Sequence, residues 1–220
     1  MFRWWTSDTV AVVTGGNRGI GFEIAQQLGM HGLTVIFTSR DTSVGEEAAK
    51  VMREGGLKVA FHQLDIVDPS SIESFSTWLK EQFGGLDILR IGDVELRHKL
   101  EDIESLSEEL IDQALNTFLE QIKDGTWESH GWPQNFTDYS LSKLAVNAFT
   151  RLMARELSDR PDGQKIYMNC YCPGWVKTAM TGWAGNLPPE EAADTAVWLA
   201  LHPDLSVSGK FFAERREINF

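Results

Sequence analysis

The chain has 220 residues and a formal net charge of −12, with 32 acidic against 20 basic side chains. Such a surface repels nucleic-acid backbones and anionic membranes, so binding to either is not expected. With 42% hydrophobic and 24% charged residues, the chain can bury a sizeable core within one domain.

The elements follow one another as strand and helix. Residues 9–13 (Thr-Val-Ala-Val-Val) form a β-branched run without alternation, which predicts a strand covered on both faces. The run enters Thr14-Gly-Gly-Asn-Arg-Gly-Ile-Gly21, after which Phe22, Ile24, Ala25 and Leu28 recur at helical spacing. A second buried strand is predicted at 34–38, a helix from about 44 to 54 and a third strand at 58–64. Pro69 opens the next helix with Asp68 as its cap and Ile72, Phe75, Trp78 and Leu79 on one face. A fourth strand starts at 86–89. The order βαβαβαβ implies an α/β, Rossmann-like, doubly wound parallel sheet.

The pattern breaks after Arg90. Two amphipathic helices are predicted, one carrying Leu96, Leu100 and Ile103, the other Leu106, Leu110, Ala114, Phe118 and Ile122, in an acidic helical insert over about 91–136. Alternation resumes with a helix at 139–157, a strand at 165–171, a helix at about 189–201 and a short last strand near 210–212. The expected organisation is a single domain over 1–220.

Cys170 and Cys172 lie two apart on a predicted strand, too close in sequence to bridge at unstrained geometry, and read as reduced thiols. The five histidines lack ligand spacing, so no metal is expected. No stretch is long and apolar enough to span a bilayer, and no signal peptide is evident; a cytoplasmic location is expected.

Two constellations carry chemistry. A strand running through a glycine-rich turn into a helix aims backbone N–H groups and the positive helix end at one spot, which suits a pyrophosphate. The residues of that turn are Gly15, Asn17, Arg18, Gly19, Ile20 and Gly21. The glycine spacing differs from G-x-G-x-x-G, and the absence of a Lys-Ser or Lys-Thr ending argues against a P-loop. After the second strand come Ser39 and Arg40; with Arg18 they offer two guanidiniums and a hydroxyl to a ribose 2′-phosphate, which favours NADP(H). Asp41, one residue later, argues for NAD instead. Asp65, after the third strand, fits either an adenine amino group or a turn cap.

The second constellation is Tyr139-Ser-Leu-Ser-Lys143. Four residues apart on a helix, phenol and ammonium share a face, and the positive charge favours the phenolate. Tyr139 is thereby suited to act as general acid or base, with Lys143 tuning it.

Together with Leu64-Asp65-Ile66 and Cys172-Pro-Gly-Trp-Val-Lys-Thr178, these motifs resemble the short-chain dehydrogenase/reductases over essentially the whole chain. The acidic insert ending in Gly131-Trp132-Pro133 resembles that of the plant salutaridine and menthone/neomenthol reductase branch of monomeric carbonyl reductases. The resemblance implies that Pro173 and Gly174 begin the nicotinamide loop, with Val176 at the carboxamide and Thr178 near the phosphates. It also implies that Lys143 holds a ribose hydroxyl, and that hydride passes between NADPH and a ketone or secondary alcohol. Trp175, Met180 and Trp183, where a substrate lid would lie, suggest an apolar carbonyl or alcohol substrate; the insert suggests a monomer.

The departures are equally specific. The family's fourth strand leads into Asn-Asn-Ala-Gly, a helix with a catalytic asparagine, and a fifth strand ending in a catalytic serine. Here Leu86-Asp-Ile-Leu89 is followed by Arg90-Ile-Gly-Asp93, which resembles the start of the insert, implying an internal deletion after Leu89. Ser105, Ser107 and Ser129 follow no strand and are not assigned the serine's role. The family's sheet order is 3-2-1-4-5-6-7. Without its fifth strand, the strand at 165–171 must either close a gap of about 4.8 Å or stay partly unpaired. A catalytically impaired form that at most binds NADP(H) is therefore the alternative to an active reductase.

Overall fold

The computed structural model describes residues 3–90, 106–130, 132, 137–202 and 207–218. They fall into two compact units, one of residues 1–91 and 173–203, the other of residues 92–172 and 204–220.

The first unit is built on four parallel strands, β1 (Val10–Val13), β2 (Thr34–Ser39), β3 (Val59–Gln63) and β4 (Ile88–Arg90), in the order β3-β2-β1-β4. Every residue of β1 and β2 is buried, as the unbroken β-branched runs require. Strand alternation divides them between two faces. Val10, Val12 and Ile36 join Leu64, Phe75 and Leu79 in one cluster, against which Trp78 and Phe83 pack. Ala11, Val13, Val35 and Phe37, of opposite parity, are completely buried on the other face.

Helix α1 (Gly19–Met30) buries Gly21, Ile24, Ala25 and Leu28 and packs on α6 (Pro189–Ala200). Phe22 is only half-buried. Helix α2 (Thr42–Glu54) begins two residues before the sequence suggests, because Asp41 is its cap and accepts from the Val44 N–H at 2.9 Å. Gly45 lets α2 lie flush on β3, since a Cβ there would stand 2.0 Å from the Phe61 ring. Helix α3 (Pro69–Phe83) opens as expected, with Asp68 accepting from the Ser70 N–H at 3.0 Å. Its buried side is narrower than expected: Phe75 and Leu79 are buried, whereas Ile72 is exposed, as is Leu86 before β4. Asp87 sets the start of β4 by gripping Val10 twice. Its carboxylate accepts from the Val10 N–H at 2.7 Å, and its own N–H donates to the Val10 carbonyl at 2.8 Å.

The second unit contains α4 (Glu108–Lys123), α5 (Thr137–Glu156) and a separate sheet, β5 (Cys170–Tyr171), β6 (Phe211–Ala213) and β7 (Arg216–Ile218), in that order. The expected helix with Leu96, Leu100 and Ile103 and the junction's downstream side lie outside the described residues. In α4 the buried ridge is Ile111 and Phe118, with Leu115 partly buried, and Ile122 is exposed. A row of i+4 steps drifts around a helix of 3.6 residues per turn, so the expected stripe holds at Leu106, Leu110 and Phe118 while its last member, Ile122, rotates into solvent. Leu106 is buried before the helix begins, and Ser107 is its cap, accepting from the Leu110 N–H at 3.2 Å. Trp132 closes over α4, its ring 5.0 Å from that of Phe118 and its indole N–H donating to Gln121 at 2.6 Å.

The strand expected at 165–171 is reduced to two residues. Asn169 substitutes for the ladder there: its amide donates to the Val207 carbonyl at 2.8 Å and accepts from the Lys210 N–H at 3.1 Å. β5 pairs with β6 alone and β4 with β1 alone, so among the described residues no ladder joins the two sheets. The continuous order expected for the family is thus interrupted between β4 and β5. β7, which sequence reasoning missed, returns antiparallel to β6 through Glu214 and Arg215, both at positive φ without a glycine to signal it.

Candidate functional site

The glycine turn between β1 and α1 is shaped by steric limits at four positions. Gly15 takes φ +65° and Gly19 φ +56°, left-handed values that favour glycine. A Cβ on Gly16 would stand 2.5 Å from that of Phe37, and one on Gly21 would stand 2.4 Å from the Gly15 carbonyl oxygen. Gly16 was absent from the sequence-derived set because its reason, the approach to β2, is tertiary. Its N–H donates to the Thr38 carbonyl at 3.0 Å.

Arg18 is extended at the head of α1 and exposed; its side chain makes no capping bond, and the first turn carries no acidic residue. Backbone donors and the positive helix end are therefore presented beside an open glycine, as an anionic phosphate requires. Asn17 and Ile20 are half-buried in the same turn.

The end of β2 adjoins this turn through the Gly16–Thr38 bond, and the end of β3 adjoins β2, the Leu64 N–H donating to the Ser39 carbonyl at 3.0 Å. Ser39 is buried and its hydroxyl donates to the Asp41 carbonyl at 2.9 Å, leaving its oxygen lone pairs for another donor. Arg40 is exposed. Asp65 is a turn former: one carboxylate oxygen accepts from the Val67 N–H at 3.1 Å.

Residues 173–187 form a loop with tied ends. The Lys177 N–H donates to the Leu187 carbonyl at 2.8 Å, and the Leu187 N–H donates to the Trp175 carbonyl at 3.1 Å. Gly185 permits this crossing, because a Cβ there would meet the Val176 carbonyl carbon at 2.1 Å. Pro173 is half-buried and Gly174 takes φ +79°. Val176 is buried, and its carbonyl accepts from the Thr181 hydroxyl at 2.6 Å. Thr178 reaches the glycine turn: a Cβ on Gly19 would lie 3.5 Å from its methyl carbon. Trp175, Met180 and Trp183 are exposed, Trp183 at φ +65°.

Thus the turn, Ser39, Arg40, Asp65 and the 173–178 segment all belong to the first unit, whereas Tyr139 and Lys143 belong to the second. There, the Lys143 ammonium lies 5.4 Å from the centre of the Tyr139 ring, on the first turns of α5. Tyr139 is 45% exposed. One turn beyond Lys143, Asn147 is 1% exposed and neither polar atom of its carboxamide has a hydrogen-bond partner. Further along, burial pushes the Cys170 thiol up to about 12, the Arg151 charge opposing it, which makes this cysteine an inert core group. Ser129 donates to the Thr126 carbonyl at 2.7 Å and, with Ser107 acting as a cap, neither described serine is placed as a catalytic hydroxyl. Among the described residues no group of three or more His, Cys, Asp or Glu is placed to hold a metal ion, and no helix is long and apolar enough to cross a membrane.

A family model described as short chain dehydrogenase matches residues 9–122 and 129–186. The chain belongs to the short-chain dehydrogenase family. Among this family's members, carbonyl reductase (NADPH) 1 of Bos taurus is 31% identical, over 98% of this chain and 99% of its own length. That of Homo sapiens is 32% identical, over 94% and 96%. The structure of salutaridine reductase from Papaver somniferum superposes with a TM-score of 0.83 at 29% identity, covering 93% of this chain and 99% of that one. Menthone neomenthol reductase from Mentha piperita gives 0.73 at 27%, covering 93% and 98%. The bovine alignment runs to 278 positions, 58 more than this short-chain dehydrogenase has residues, so at least 58 positions of the alignment lack a residue here.

Proposed function

We propose that this chain binds NADP(H) and reduces a carbonyl compound to a secondary alcohol, or runs the reverse reaction. The observation that carries the reading is the Tyr139–Lys143 pair, an ammonium held against an accessible phenol, in a chain that also folds the open glycine turn. Both carbonyl reductases above are named for NADPH. In this reading the turn residues Gly15 to Gly21 take the pyrophosphate, and Arg18, Arg40 and the Ser39 oxygen lie toward the 2′-phosphate. Asp65 keeps one carboxylate oxygen for the adenine side, and residues 173–178 line the nicotinamide side.

The bound nicotinamide supplies hydride to the carbonyl carbon. Tyr139 delivers the proton to the oxygen, and the Lys143 charge lowers the cost of the phenolate left behind. The exposed Trp175, Met180 and Trp183 support an apolar substrate. The insert, with Trp132 sealed over α4, supports a monomer.

The interrupted sheet favours a second reading, in which the chain binds NADP(H) without turning over. A block lost after Leu89 would remove the strand and serine that relatives place between β4 and β5, and with them a hydrogen bond to the substrate carbonyl. Titration with NADPH by fluorescence, followed by turnover with menadione and a monoterpene ketone, separates the two. Turnover that Tyr139→Phe abolishes supports the first reading; saturable binding with no turnover supports the second.

A further inference from the structure

We propose that Asn147 is a positioning residue for Lys143, its carboxamide oxygen offering the Lys143 ammonium a second station one helical turn behind the Tyr139 ring. Tyr139, Lys143 and Asn147 succeed one another at four-residue steps on α5, so each side chain neighbours the next. The ammonium occupies the forward station, over the phenol ring. Behind it lies a buried amide whose oxygen and nitrogen both lack partners, an arrangement that native interiors avoid unless another state satisfies it.

The flexible four-carbon stem of lysine lets its head swing from one neighbour to the other. At the rear, a charge-assisted bond to the Asn147 oxygen forms away from water, where such bonds are strong. At the front, the charge favours the Tyr139 phenolate. Asn147 therefore sets the fraction of time for which Lys143 acts on Tyr139.

Asp138 adjoins Tyr139 in sequence, Arg151 stands one turn beyond Asn147 and acts on Cys170 of β5, and Arg155 donates to the Leu106 carbonyl. On α4, Glu108, Glu109, Asp112, Glu120 and Lys123 are exposed.

The inference deepens the Tyr139–Lys143 reading, yet its test needs no turnover, so an inactive chain and a failed inference are separate outcomes. Phenolate absorbance of the full chain is titrated, and the curve of the Tyr139→Phe variant is subtracted to isolate Tyr139 from Tyr167 and Tyr171. Asn147→Leu removes the rear station, so the Tyr139 ionisation constant is expected to rise about threefold to tenfold. The same substitution made with Lys143→Met already present is expected to change nothing further. Asn147→Ala, which also removes the oxygen, serves should the leucine variant not fold. An unchanged Tyr139 titration in the folded variant, or an equal shift in the Lys143→Met background, overturns the proposal.

Discussion

At Tyr139 and Asn147 the same helix carries opposite kinds of polar group, one open to reactants and one sealed from water. Replacing Tyr139 by Phe keeps the ring that Lys143 covers and removes only the proton donor. Turnover with menadione is expected to fall by about two to four orders of magnitude while NADPH still quenches tryptophan fluorescence. While Lys143 stands over Tyr139, Asn147 carries a desolvation penalty of about 1–3 kcal/mol that no bond offsets. With Lys143→Met in place, so that no ammonium can reach the amide, Asn147→Leu is accordingly expected to raise the urea midpoint, and a lowered midpoint would show that the amide has a partner other than Lys143.

Glu23 behaves in the opposite way to an ordinary surface carboxylate. Partial burial, and then the neighbouring Glu190 charge, raise its pKa. Its folded form prefers the proton, so its contribution to stability is present below the ordinary glutamate value and is lost as pH rises through the folded value. Denaturation midpoints of Glu23→Gln should exceed the wild type at neutral pH, by less than about 1 kcal/mol because the group is largely solvated, and converge with it in acid. Asp68 has the reverse sign. Its bonds from Ser70 lower its pKa, so its capping contribution is lost on acidification.

Among the elements, helix starts were the most legible features. Asp68 and Pro69 announce α3 through short-range geometry that needs no tertiary partner. By sequence Asp41 argued for NAD, whereas in the structure its carboxylate caps α2. Asp41→Ala is expected to cost about 1 kcal/mol in stability and to leave the preference for NADPH over NADH unchanged. A changed preference, measured as the ratio of the two dissociation constants, would return Asp41 to the ribose. The α4 face was legible at Leu106, Leu110 and Phe118, but Ile111 and Leu115 were missed and Ile122 misplaced, because the choice between adjacent rows depends on what Leu144, Ala148 and Leu152 of α5 present to it. β7 was missed because its turn uses Glu214 and Arg215 rather than the glycine or asparagine that announces such hairpins.

At the scale of the whole molecule, the described strands form two sheets rather than one. Two short sheets, each ending in a strand paired on one side only, leave backbone groups of β4 and β5 outside any ladder among the described residues. Inserting, between Leu89 and Arg90, the positions of bovine carbonyl reductase (NADPH) 1 that lack a counterpart here is expected to raise the thermal midpoint and to increase turnover with a ketone substrate. An insertion that changes neither would place the shortfall elsewhere in the chain.

The amino-acid sequence by itself determined the alternation of strand and helix in the first unit, the glycine turn, the Tyr139–Lys143 spacing and the family. Each of these rests on local periodicity or on residues a few positions apart, where covalent geometry limits the outcomes. Only the tertiary structure decided that Gly16 and Gly185 are needed for close approach and that Asn147 is buried without a partner. It also decided that the strand ending at Tyr171 shrinks to two residues beside β6 alone. These outcomes depend on which distant segment lies within a few ångströms, and in a chain lacking a block of its relatives that question is settled by the packing of what remains.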